Sequence, residues 1–208
     1  MELEAVTIDA YGTLVTLRDP VPALRAALAG RRVERSSGDV QRAFEAEVAF
    51  YIARSHKGRD EATLALLRRD CAGVFLEALE AKLDPDDFAP AFVSSLRFAE
   101  LPGARDACLE LAAAGLRLAV VSNWDIGLHD HLGALGLDAV VDVVVTSAEA
   151  GAPKPAPAVF ELALARLGVD AVRAVHIGDA AADEDGAQAA GLRFEPAPLA
   201  DAVRRILA

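Results

Sequence analysis

Positive charge, sulfur and long apolar runs are all scarce in this chain, and each scarcity narrows what it can be. Lys and Arg number 21 against 32 Asp and Glu, which leaves a formal charge of -11 spread along the sequence. Such a surface repels nucleic acid and anionic lipid, so neither a nucleic acid nor a membrane is expected as partner. A small solute is expected instead, and an anionic one would need local positive charge from a metal, a lysine or helix N-termini. The two cysteines, Cys71 and Cys108, are far apart and fit no metal-ligand spacing. They read as buried thiols of a reducing compartment. No apolar stretch approaches the roughly 20 residues that a membrane helix needs. The opening MELEAVTIDA has neither a basic nor an apolar leader region, so a soluble, cytoplasmic protein is expected. Repeats and low-complexity tracts are absent too.

What is present is globular in composition: 53% apolar and 25% charged residues over 208 positions. That length suffices for one core, or for one core domain with a smaller insertion, as monomer or homodimer. Short β-branched runs at Ala5 to Ile8, Leu116 to Val121, Val140 to Val145 and Val172 to Ile177 are too short for helices and read as buried parallel strands. Helical periodicity falls between the later ones, at Ala104 to Ala114, Ile126 to Leu135, Ala156 to Leu167 and Asp183 to Ala190. This alternation predicts an α/β fold with a doubly wound parallel sheet. From Arg18 to Phe98 the pattern is helical throughout, over Val21 to Leu28, Val40 to Arg54, Glu61 to Leu83 and Asp87 to Leu96. The expected organisation is therefore a core of residues 1–16 and 99–208 with an all-helical insertion over 17–98.

Ligands of open α/β sheets bind at the carboxyl ends of the strands, so the residues that follow each strand carry the functional information. After the first comes Asp9-Ala10-Tyr11-Gly12-Thr13-Leu14, a carboxylate beside a glycine turn; taken alone it also fits a turn or cap aspartate. After the second comes Ser122-Asn123-Trp124-Asp125, where a hydroxyl and the N-H groups of a helix start could hold an anionic oxygen; Ser122 also fits a simple N-cap. Lys154, one of only three lysines, is clamped between Pro153 and Pro155. After the fourth strand, Gly178-Asp179-Ala180-Ala181-Ala182-Asp183 gathers carboxylates that repel one another unless a cation such as Mg²⁺ joins them. An acidic helix N-terminus is the plainer reading of that cluster, and suffices for Glu184 and Asp185. His129 and His131, two apart on a helix pattern, face different sides and make no zinc pair. His176, inside the fourth strand, reads as a packed core residue.

The ordered set Asp9-x-x-Gly12-Thr13-Leu14, Ser122, Lys154-Pro155 and Gly178-Asp179-x-x-x-Asp183 resembles the four-motif signature of the haloacid dehalogenase superfamily, and the helical insertion sits where that superfamily places its cap. The resemblance implies a hydrolase with Asp9 as nucleophile and Mg²⁺ as cofactor. The metal would be held by Asp9, the Tyr11 carbonyl, Asp179 and Asp183. Ser122 and Lys154 would steady charge on the substrate, and Tyr11, Asn123 and Trp124 would line its pocket. Phosphatases of this superfamily carry a second aspartate two positions after the nucleophile, where Tyr11 stands here. The run Asp9-Ala10-Tyr11-Gly12-Thr13-Leu14 is similar instead to the first motif of L-2-haloacid dehalogenases, which use no metal and bind halide through a cap arginine, for which Arg42 and Arg54 are candidates. The fourth motif is that of the metal-dependent phosphatases. The resemblance thus implies a Mg²⁺-dependent phosphatase first and a dehalogenase second. A phosphonate hydrolase using a cap lysine, Lys57 or Lys82, and a non-catalytic binding protein that keeps the fold are further alternatives.

Overall fold

The computed structural model describes residues 2–208. In chain order the elements are β1 (Ala5–Ile8), β2 (Val15–Leu17), α1 (Val21–Ala29), α2 (Ser37–Ile52), α3 (Glu61–Ala78), α4 (Pro85–Ser95) and β3 (Phe98–Glu100). These are followed by α5 (Ala104–Ala113), β4 (Arg117–Ser122), α6 (Leu128–Leu135), β5 (Val143–Thr146), α7 (Ser147–Ala150), α8 (Ala158–Leu167), β6 (Ala174–Gly178), α9 (Ala181–Ala189), β7 (Arg193–Pro196) and α10 (Leu199–Leu207). The chain divides into two compact units, Met1–Thr16 with Ala99–Ala208, and Leu17–Phe98.

The first unit is built on a five-stranded sheet of order β5-β4-β1-β6-β7. Every pairing in it is parallel. The central strands are buried on both faces because helices cover both, and β1 and β6 are buried at every position. Behind them pack Val121, Val145, Val159, Phe160, Ala163 and Ala187. Ile8 is level with Val120 on one side and Ile177 on the other, so Asp9, Ser122 and Gly178 emerge together on the carboxyl edge. On either side of β1 the chain order reverses, which opens the crevice where such sheets bind ligands.

The strands sit slightly later than the apolar runs suggest. Val140 and Val172 close or fall within short 3-10 turns, Asp138–Val140 and Ala171–Arg173, because a chain entering a parallel strand from a helix must first turn. The edge strand β7 and the helix α10 have no counterpart among the expected elements. Arg193-Phe194-Glu195-Pro196 is half solvated and carries no apolar run. Only backbone pairing with β6 makes it a strand.

The second unit is helical. Its core holds Leu24, Leu28, Val40, Ala43, Leu67, Cys71 and Ala72. Phe75 and Phe88 stack with centroids 6.0 Å apart, and Phe92 lies 5.2 Å from Phe75. The helix expected over Glu61 to Leu83 is shorter, ending at Ala78. Glu80 takes a positive φ of 50°, which turns the chain before Asp84 caps α4. At its other end Asp60 and Thr63 form a reciprocal capping box that starts α3. Arg42 pairs with Asp39 on the solvated surface, while the Arg54 guanidinium lies 4.0 Å from the Phe50 ring centroid. Lys57 and Lys82 are exposed.

Candidate active site

Five of the residues singled out from sequence meet at the carboxyl edge of the parallel sheet. Asp9 follows β1 and is 6% exposed. Its Oδ1 accepts hydrogen bonds from Lys154 Nζ at 2.5 Å and from Ser122 Oγ at 3.2 Å. The same ammonium donates to Asp183 Oδ1 at 2.5 Å and to the Val121 carbonyl at 3.1 Å. All three of its protons are therefore used, and it is pinned in place. Far from being a solvated surface lysine, Lys154 is 6% exposed. Asp183 also accepts from the Ala180 backbone N-H at 3.1 Å, through Oδ2.

Asp179 completes the group from outside. Oxygens of Asp9, Asp179 and Asp183 lie within 4.8 Å of one another, two of the three residues being buried and Asp179 exposed. Glycine makes this approach feasible. A Cβ on Gly12, whose φ is +86°, would fall 2.3 Å from Asp179 Oδ2, and a Cβ on Gly178 would fall 2.4 Å from Asp183 Cγ. The two motif glycines thus clear the space in which the carboxylates converge.

Electrostatics separates the three acids. Burial pushes the Asp9 carboxyl above its ordinary range; Lys154 pulls against this, and the Asp183 and Asp179 charges add to it. Burial would raise Asp183 as well, but the hydrogen bond from His176 and the Lys154 charge outweigh it and hold Asp183 below the usual carboxylate range. Asp179 is raised by partial burial and by Asp183. Lys154 loses hydration, yet Asp9 and Asp183 more than compensate and push its ammonium above 10.5. Three carboxylates against one ammonium leave excess negative charge, the condition under which hard oxygen donors hold a divalent cation.

Several residues make contacts that the sequence did not reveal. Asn123, assigned to the substrate pocket from sequence, uses its amide on Lys154: Nδ2 donates to the Lys154 carbonyl at 3.0 Å, and Oδ1 accepts from the Lys154 N-H at 2.6 Å. It is a clamp on the backbone that carries the ammonium. Trp124, also expected at the substrate, is buried, with its ring 5.9 Å from His131. Tyr11 is 51% exposed, and its ring centroid lies 6.5 Å from that of Trp124. No helix begins directly after Ser122: α6 starts six residues later, and Asp125 Oδ1 instead accepts from the Gly127 N-H at 2.7 Å to form a turn. Ser122 is therefore neither a helix cap nor part of a helix-start anion site. His129 pairs with Glu149 at 3.1 Å, apart from His131. Sequence reasoning placed His176 in the packed core without naming a partner; its Nε2 lies 3.1 Å from Asp183 Oδ1. Burial pushes this imidazole down to about 4, so it is neutral near pH 7. Its one available signal was polarity inside an otherwise apolar strand, where burial obliges a partner.

A parallel sheet with an aspartate, a hydroxyl, a lysine and paired acids gathered on its carboxyl edge marks an α/β enzyme. The chain belongs to the haloacid dehalogenase-like hydrolase family, whose model matches residues 3–191. It is 34% identical to haloacid dehalogenase-like hydrolase domain-containing protein 3 of Mus musculus over 207 residues, which covers 92% of this chain and 80% of that one. It is 36% identical to phosphoglycolate phosphatase of Rhodospirillum rubrum over 205 residues, covering 91% of this chain and 77% of the relative. Among solved structures it resembles the L-2-haloacid dehalogenase from Xanthobacter autotrophicus, with a TM-score of 0.68 and 25% identity over 92% of this chain and 76% of that one. Phosphatases and dehalogenases thus both stand among its relatives.

Proposed function

We propose that this hydrolase is a Mg²⁺-dependent phosphatase of small, anionic phosphate esters, acting through a phosphorylated Asp9. The observation that carries this reading is the exposed Asp179, brought by the Gly12 turn into one cluster with Asp9 and Asp183. An uncompensated carboxylate at that position serves no packing purpose and would repel the nucleophile without a cation. The donor set is all oxygen, which suits Mg²⁺. Asp9 and Asp179, with Asp183 and the Tyr11 carbonyl, would hold the ion, and when bound it would neutralise charge on the phosphoryl oxygens.

The chain's own groups account for the remaining steps. A carboxylate oxygen of Asp9 attacks phosphorus in line, the ester P-O bond breaks, and the alcohol departs with its electron pair and takes up a proton. Lys154 and Ser122, both on Asp9, hold the carboxylate in position and offset charge as the phosphoryl group transfers. Water then hydrolyses the aspartyl phosphate to inorganic phosphate and restores Asp9. The acid-base aspartate found two positions after the nucleophile in related phosphatases is replaced by Tyr11, so no carboxylate stands there to protonate the leaving group. An aryl phosphate with a good leaving group is therefore the appropriate probe. The helical unit would serve as the cap that selects the substrate.

Phosphate release from p-nitrophenyl phosphate should require Mg²⁺, stop with EDTA and disappear in Asp9→Asn. A second reading, 2-haloacid dehalogenase, is favoured by the exposed Tyr11 within the Asp9 to Leu14 motif. Halide release from 2-chloropropionate that survives EDTA, with no phosphate release, would replace the first reading by the second.

A further inference from the structure

His176 lies in β6 directly opposite Thr7 of β1, and both are fully buried. Its ring is packed edge-on to Phe160 at 4.8 Å, with Phe194 at 6.2 Å, so its polar atoms reach partners only in the ring plane. Nδ1 is 2.9 Å from Thr7 Oγ1 and 3.0 Å from the Thr7 carbonyl, and Nε2 is 3.1 Å from Asp183 Oδ1.

Proton accounting selects one arrangement. A neutral imidazole has one N-H and one acceptor nitrogen. Asp183 Oδ1 already accepts from the Lys154 ammonium at 2.5 Å, and as an acceptor it takes the facing imidazole nitrogen at 3.1 Å as a donor, which places the proton on Nε2. Nδ1 is then the acceptor, and of its two neighbours only the Thr7 hydroxyl can donate. The result is a directed chain: Thr7 Oγ1-H to Nδ1, Nε2-H to Asp183 Oδ1, and Asp183 Oδ1 to the Lys154 ammonium that also engages Asp9.

We propose that Thr7 and His176 form a positioning pair: the Thr7 hydroxyl fixes the imidazole tautomer, and the imidazole fixes the Asp183 carboxylate that anchors Lys154 against Asp9. Neither residue touches substrate. Without the Nε2-H, Asp183 keeps Lys154 and the Ala180 N-H but loses the donor that directs Oδ1 onto the ammonium. The inference rests on Lys154 acting at Asp9, as the proposed hydrolase chemistry requires. Partners that orient a charged site in this way typically change affinity or activity by roughly 10- to 100-fold when removed.

The test uses the full chain and has a spectroscopic and a kinetic arm. Ring ¹⁵N shifts should show His176 as the Nε2-H tautomer in the wild type and lose that signature in Thr7→Val, where only the backbone carbonyl remains beside Nδ1. In p-nitrophenyl phosphate hydrolysis, His176→Phe should lower kcat by roughly 10- to 100-fold with KM little changed. His176→Gln, whose amide N-H can occupy the Nε2 position, should recover most of that loss at comparable melting temperature. An Nδ1-H ring in the wild type overturns the inference, as do equal rates in the Phe and Gln variants. If the wild type releases no phosphate, the phosphatase reading has failed, and the tautomer in wild type and Thr7→Val still decides for or against the pair.

Discussion

At the scale of single residues, the site depends on side chains that are missing as much as on those present. Gly12 combines a φ of +86° with the Asp179 carboxylate lying where its Cβ would be. Gly12→Ala should therefore strain the turn and displace Asp179 at once. The expected stability loss is on the order of 1 to 3 kcal/mol, measured by denaturant unfolding, and Mg²⁺ affinity measured by calorimetry should fall more than stability alone explains. Glu47 poses a different residue-scale question, since it is 4% exposed within the helical unit. Burial, tempered by a hydrogen bond from the Cys71 thiol, pushes its carboxyl up to about 7. A raised acid favours the folded state only while protonated. Its contribution is fully present below about 4.5, the unfolded value, and is lost as pH rises through about 7. Glu47→Gln should flatten that decline, a difference on the order of 2 to 3 kcal/mol at pH 8. Urea midpoints of both proteins at pH 4, 6 and 8 would show it, and parallel pH profiles would sink the prediction.

At the scale of elements, the segment that delivers Lys154 is braced from behind. Thr146 and Glu149 form a reciprocal capping box around α7, and Glu149 also accepts from Arg166 of α8 at 3.0 Å and pairs with His129 of α6. Partial burial would raise Glu149, but the hydrogen bonds from His129, the Thr146 N-H and Arg166 outweigh it and hold it at about 2. A depressed acid stabilises the fold above its unfolded value near 4.5, and that stabilisation is lost as pH falls toward 2. With half-exposed partners the magnitude is modest. Glu149→Gln should cost on the order of 1 kcal/mol at pH 7 and nothing near pH 2, read from thermal melts at the two pH values. Elements with a strong local signal were legible in advance: the apolar strands β1, β4 and β6 and the amphipathic helices. Those that were missed or misjudged answer to tertiary context. The edge strand β7 is defined by its partner, and α3 ends where Glu80 turns the chain rather than where the apolar pattern stops.

At the scale of the molecule, a chain of charge -11 concentrates three of its carboxylates at one sheet edge and answers them with one buried lysine. Folding brings those charges together, so a cation that binds only the folded arrangement should stabilise the whole chain. Mg²⁺ at 100 times its dissociation constant would contribute about 2.7 kcal/mol. A rise in melting temperature with Mg²⁺ that is absent in Asp179→Ala would bear this out, and identical shifts in both proteins would assign the effect to general screening.

The order of motifs along the chain was enough to nominate Asp9, Ser122, Lys154, Asp179 and Asp183, because a parallel sheet presents its chemistry just after each strand and strands declare themselves by local apolar pattern. Their division of labour was not readable there. That Lys154 bridges Asp9 and Asp183, that Asn123 clamps the Lys154 backbone, and that Thr7 reaches His176 are contacts across 145, 31 and 169 residues of chain. Only packing decides such contacts, because the partner of a buried polar group is whichever donor or acceptor the fold places within about 3 Å, and no local periodicity encodes that choice.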